Sequence, residues 1–238
     1  MMNQKTVAEV VAENIKTAHV FKKFGIDFCC GGGVSIEKAC EKRGIDVDTL
    51  ERELLAVDNT NNAAHNFNGW EIDFLSDYII NTHHAYVLEA IPLTIQYAEK
   101  VAKVHGHANP ELIEINELFS MVAEDLLTHM KKEEHILFPY IKHLVATKKS
   151  GAPYTAPPFV SATNPIRMME AEHEAAGDIM KKIAELSNQY QVPEHACNTY
   201  KALFSKLEEF EEDLHQHVHL ENNILFPKAI KLEQDLNR

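Results

Sequence analysis

The sequence predicts an all-α protein: an up-down four-helix bundle preceded by a small helical N-terminal domain. Three observations predict it. Apolar residues recur at spacings of three and four along most of the chain, no alternating stretch of useful length appears, and Pro, Gly and Asn signals set off four long helical segments. The 238 residues are 45% hydrophobic and 25% charged, an ordinary globular composition that excludes collagen-like, low-complexity and wholly disordered chains. Acidic residues outnumber basic ones by 36 to 23, giving a net charge of -13 with no basic stripe, so a nucleic-acid partner is not expected. No apolar run reaches the ~18 residues of a membrane span, so no membrane partner is expected either. Four cysteines are too few for a disulfide scaffold, which points to the cytoplasm. Fourteen histidines are the unusual number.

Residues 1–57 read as the small domain. Thr6 and Glu9 form a capping-box pattern opening a helix with Val7, Val10, Val11, Ala18 and Phe21 on its apolar face, and Gly25 is placed to end it. The stretch Ile26–Gly33 holds two adjacent cysteines and three glycines and does not suit a helix. Ser35 caps a short helix that stops near Gly44, and Asp48 is the expected cap of a third. Residues 58–69 are polar and turn-forming and read as a linker to the bundle at 70–238. The first long helix covers about 70–104 with Pro92 inside it, and the second opens at Asn109-Pro110 and runs to about 146. A crossover rich in Pro, Ser, Thr and Gly occupies 147–164. The third helix opens at Asn164-Pro165 and ends near Tyr190, and the fourth runs from about Pro193 to 234.

An internal repeat locates the chemistry. Residues 129–139 (HMKKEEHILFP) and 217–227 (HVHLENNILFP) align without a gap, pairing His129 with His217 and Glu133 with Glu221. At a similar offset His83 in the first helix matches His173 in the third. Each of the six continues an apolar stripe: Leu75, Ile79 and Val87 around His83; Leu126, Ile136 and Leu137 around His129 and Glu133; Met169 and Ala176 around His173; Leu214 and Ile224 around His217 and Glu221. Carboxylates at core positions cost several kcal/mol unless something neutralises them. Helix lengths put His83 and His129 at one depth, to within about 3 Å, but leave His173 and His217 mismatched by roughly 10 Å.

Four His and two Glu are too many for one tetrahedral zinc and suit two metals bridged by the carboxylates. Imidazole and carboxylate without thiolate favour iron, with manganese second, and leave an open or solvent-bridged position for a diatomic gas or an oxo group. A lone core histidine is more often a hydrogen-bonded structural residue than a ligand, and that reading is kept for the others. His135, His215 and His219 fall off the inward stripe, His84 points to another face than His83, and His105 lies about 33 Å along the helix from His83.

At this point the chain resembles the hemerythrin-like di-iron proteins for repair of iron centres. The resemblance rests on Asp27-Phe28-Cys29-Cys30-Gly31-Gly32, on the two His-x-x-x-Glu…Ile-Leu-Phe-Pro segments, and on Met169–His173. It implies a cytoplasmic, stress-induced protein holding two non-haem irons on His83, His129, Glu133, His173, His217 and Glu221. Its partners would be iron–sulfur proteins damaged by nitric oxide or peroxide, which it would supply with iron. The alternatives are reduction of nitric oxide to nitrous oxide, or reversible carriage or sensing of O2 or nitric oxide. Gly33 and the long crossover depart from the family pattern. Cys29 and Cys30 read as an exposed, mobile pair whose thiol pKa the helix starting at Ser35 would lower, suited to redox work, metal handoff or nitric oxide capture. The alternative is two buried small hydrophobes. Cys40 and Cys197 read as core residues, and Glu172 as an exposed carboxylate rather than an acceptor holding a ligand imidazole. A homodimer through the N-terminal domain is expected.

Overall fold

The computed structural model describes residues 4–57, 67–194 and 196–238, so residues 58–66 of the expected linker lie outside the described residues. The fold is all-α, as the sequence predicts, and among the described residues the nearest approach to a sheet is an isolated antiparallel bridge between Thr6 and Ser35.

The N-terminal elements follow their caps. Thr6 and Glu9 form the expected capping box, opening α1 (Val7–Glu13). The single helix expected through Phe21 is broken at Asn14. Its backbone is extended, and its side chain accepts from Lys16 N, restarting the chain as a tight turn and then α2 (Ala18–Lys23). Gly25 ends α2 at φ +65°, and α3 (Ile36–Arg43) runs from Ser35 to Gly44, also left-handed at φ +66°. The cap of α4 (Val47–Ala56) is Asp46 rather than Asp48, because Asp46 has the extended backbone and accepts from Thr49 N.

The long helices are α5 (Ile72–Ile79) continuing into α6 (Ala85–His105), α7 (Glu111–Lys132) into α8 (Phe138–Ser150), α9 (Thr163–Leu186), and α10 (Asn198–Leu220) into α11 (Phe226–Leu236). α9 stops four residues before the expected end because Asn188, Gln189 and Tyr190 are left-handed. Each continuation passes through a π-helical segment: Ile80–His84, Glu133–Leu137 and Glu221–Leu225. The last two end just before Phe-Pro. Pro139 and Pro227 have no N–H to return to the preceding turn, and the wider π turn is how the helix absorbs the missing bond. No helix among the described residues is long and apolar enough to cross a membrane.

The chain forms two compact units, each drawing on distant segments. One comprises residues 77–140 and 164–214; the other comprises 1–76, 141–163 and 215–238. In the first, α6 lies against α7, and Phe210 of α10 packs on Phe119 at 5.1 Å and Tyr86 at 6.3 Å. In the second, α1 packs against residues 67–69 and 221–225. There the crossover is tied down by buried Glu233, which accepts from Ala162 N at 2.9 Å and Ser161 Oγ at 2.6 Å.

Candidate metal centre

Glu133, the first residue of its π turn, is fully buried in the unit of residues 77–140 and 164–214. Its Oε2 lies 3.3 Å from His129 Nε2 and 3.4 Å from His84 Nε2. The far side of each ring faces another carboxylate: His129 Nδ1 is 2.8 Å from Glu172 Oε2, and His84 Nδ1 is 2.8 Å from Glu134 Oε1. A carboxylate accepts, so each Nδ1 carries the proton and each Nε2 turns a lone pair toward Glu133. His173 Nε2 comes within 3.0 Å of His129 Nε2, and the donor atoms of His129, Glu133 and His173 all lie within 4.8 Å of one another.

His83 is not part of this group. Its Nδ1 binds Asp213 at 2.8 Å and its ring meets the edge of Tyr78 at 5.9 Å. A uniform helical period places His83 inward and His84 on another face; His83 is buried as expected, but His84 is buried too. The π turn Ile80–His84 adds a residue to that turn, and both histidines become buried with opposite partners. Ile136 is half exposed, although its repeat mate Ile224, at the same place in an equivalent π turn, is buried.

Glu172 also departs from expectation. It holds His129, not its neighbour His173, and Lys132 forms an ion pair with its other oxygen. Burial raises this carboxyl, but the bonds from Lys132 and His129 outweigh burial and hold it below the usual carboxylate range. Glu134 and Asp213 were not singled out from the sequence, and no spacing signal marks them, since each reaches its histidine from another helix.

In the second unit the repeat mates meet in the same way. His217 Nε2 is 3.1 Å from Glu221 Oε1, both buried, with Glu221 opening its own π turn. The double-cysteine loop rests on this turn. Asn223 Nδ2 donates to Cys29 O at 2.9 Å, Asn222 Nδ2 lies 4.0 Å from Cys30 Sγ, and Phe28 packs edge-on to His215 and His219. His219, expected off the inward stripe, is buried, and burial pushes its pKa down to about 4.

The two cysteines differ. Cys30 is exposed, whereas Cys29 is buried with its thiol 3.2 Å from Asp27 Oδ1. A bond with Cys30, burial and the Asp27 charge push Cys29 well above the ordinary thiol pKa, the reverse of the lowering expected from the helix at Ser35. Cys40 is buried as expected. Cys197 is exposed rather than in the core, with His105 Nε2 3.4 Å away.

The donor set fits a cation. Imidazole lone pairs facing one buried carboxylate oxygen are mutually repulsive without a positive charge among them. Nitrogen and carboxylate donors without thiolate, each imidazole fixed by an outer carboxylate, suit iron.

Residues 76–229 match the hemerythrin HHE cation-binding domain, and residues 3–58 match the ScdA N-terminal family, described as a domain of unknown function (DUF542). The chain is 36% identical over 214 residues to the iron-sulfur cluster repair protein YtfE of Yersinia pseudotuberculosis serotype IB (strain PB1/+), covering 90% of this chain and 91% of that one. It is 35% identical over 218 residues to the protein of the same name from Yersinia pestis (strain Pestoides F), covering 92% and 93%.

Proposed function

The chain belongs to the iron–sulfur cluster repair proteins that carry a hemerythrin cation-binding domain, and from that premise we propose that it stores two irons and supplies them to damaged iron–sulfur proteins. In this reading His84, His129, His173 and Glu133 would hold iron in the one unit, and His217 and Glu221 would hold it in the other. Bound there, ferrous ions are an exchangeable store, since histidine and carboxylate donors hold them less tightly than the thiolates of an empty cluster site. The observation that carries the proposal is Glu133: a fully buried carboxylate with two imidazole Nε2 atoms at 3.3 and 3.4 Å.

The protein's own groups prepare the store. Glu134 and Glu172 keep the protons of His84 and His129 on Nδ1, so that both rings are ready to bind without losing a proton. We place the activity in the cytoplasm under nitric oxide or peroxide stress, where iron–sulfur proteins lose iron.

The test is anaerobic loading with ferrous iron, followed by mixing with a metal-free iron–sulfur acceptor or, separately, with nitric oxide and a reductant. About two irons per chain, passing to the acceptor, would support donation. Nitrous oxide formed over many turnovers without iron loss would replace it with nitric oxide reduction. Gas bound reversibly with neither outcome would make the protein a carrier. A single zinc, or no metal uptake, would end the di-iron reading.

A further inference from the structure

Three consecutive residues where α7 passes into its π turn set the charge around the metal group. Glu133 is the buried carboxylate, Lys132 before it pairs with Glu172, and Glu134 after it accepts from His84 Nδ1. The outer contacts of His84 and His129 are otherwise matched. Each Nδ1 meets its carboxylate at 2.8 Å, and the carboxylate side chains are 30% exposed for Glu134 and 34% for Glu172. The difference is a cation: Lys132 binds the second oxygen of Glu172, while no Lys or Arg among the described residues pairs with Glu134. In the internal repeat the mates of Lys132 and Glu134 are Leu220 and Asn222, so the helical pattern does not itself require these charges.

An imidazole whose N–H points at a full negative charge has more electron density to give a metal from its other nitrogen. A cation on that carboxylate offsets part of the charge. We propose that Lys132 is a positioning residue that acts through Glu172, keeping His129 a weaker donor than His84 and easing the release of iron from it. The inference rests on iron binding by this group, as proposed above. Release is a ligand exchange: the bond from iron to His129 Nε2 breaks, a water or an acceptor's ligand takes its place, and no electron moves.

The experiment uses the full chain with Lys132→Met, which removes the charge and keeps most of the side chain, and Lys132→Arg, which retains the charge. In anaerobic competition with a ferrous chelator, Lys132→Met should bind iron about two- to fivefold more tightly and release it more slowly by the same factor, the range of one half-exposed ion pair. Lys132→Arg should match the parent. In a Glu172→Gln background Lys132→Met should have no effect, whereas in a Glu134→Gln background it should keep its full effect. In metal-free protein, Lys132→Met should shift the nitrogen NMR resonances of the His129 ring and leave those of His84 in place. Weaker binding by Lys132→Met would make the lysine only a support for Glu172, and an unchanged affinity would make the pair an idle surface contact. A gain that persists with Glu172→Gln would make it a charge acting directly on the ion. Each of these overturns the proposal. If the parent takes up no iron, the iron reading itself fails. The ring resonances then decide the coupling alone, and unmoved His129 nitrogens overturn it.

Discussion

His84 Nε2 approaches Glu133 Oε2 to 3.4 Å, while His83, the residue before it, turns away to Asp213. Two adjacent histidines in one π turn therefore face different carboxylates, and His84 rather than His83 is the expected metal donor. His84→Ala should lose bound iron, and His83→Ala should keep it. His83→Ala should instead lower stability by about 1–3 kcal/mol, because Asp213 loses a buried partner. Iron content per chain and a thermal melt of both variants check this. Loss of iron from His83→Ala with retention in His84→Ala would reverse the assignment.

The same pair shows how far the sequence was legible. The repeat singled out His129, Glu133, His217 and Glu221, and the match to His83 singled out His173; each interrupts an apolar stripe, and each is buried. Helix identity and most caps were legible too, since Thr6, Ser35 and Gly44 act through local backbone chemistry. What failed was whatever depends on a uniform turn. A π turn moves every later side chain by most of one position, and only the proline after it hints at the change. Contacts between helices were equally hidden: Glu134, Glu172 and Asp213 look like any exposed helical acid until a partner helix brings a ring to them.

Glu172 supplies the next expectation. It accepts from His129 Nδ1 and pairs with Lys132, so it fixes both the tautomer and the tilt of the ring. Glu172→Gln should weaken iron binding by about 10–100-fold without abolishing it, the usual effect of removing an outer partner of a metal-binding imidazole. Glu170→Gln, on the exposed face of the same helix, should leave affinity unchanged. Competition with a ferrous chelator measures both, and equal affinities for the two variants would remove Glu172 from the site.

Asp46 gives a pH dependence. Bonds from Thr49, the side-chain hydroxyl first, hold its carboxyl below its ordinary value of 3.8. A carboxyl with a depressed folded pKa contributes stability that is present above the unfolded value and is lost as pH falls through the folded one. The amides at the start of α4 should therefore keep their protection at pH 5 and lose it below about pH 4. A carboxyl-carbon NMR titration of Asp46 with a midpoint at or above 3.8 would contradict the capping role.

The glycines after the cysteine pair are not equivalent. A Cβ on Gly32 would stand 2.4 Å from Phe28 O and 3.0 Å from Ala8 Cβ, whereas a Cβ on Gly33 meets nothing within 4 Å. Gly32 lets α1 and the cysteine loop close on each other, as the bond from Ala8 N to Gly32 O at 2.9 Å also requires. Backbone cannot yield as a flexible side chain can, so Gly32→Ala should cost about 1–3 kcal/mol. Gly33→Ala should be neutral or stabilising by up to about 1 kcal/mol, through a less disordered unfolded chain. Denaturant melts of the two variants decide it. If Gly33→Ala costs as much as Gly32→Ala, close approach at Gly32 is not what the loop requires, and the third glycine has a structural role after all.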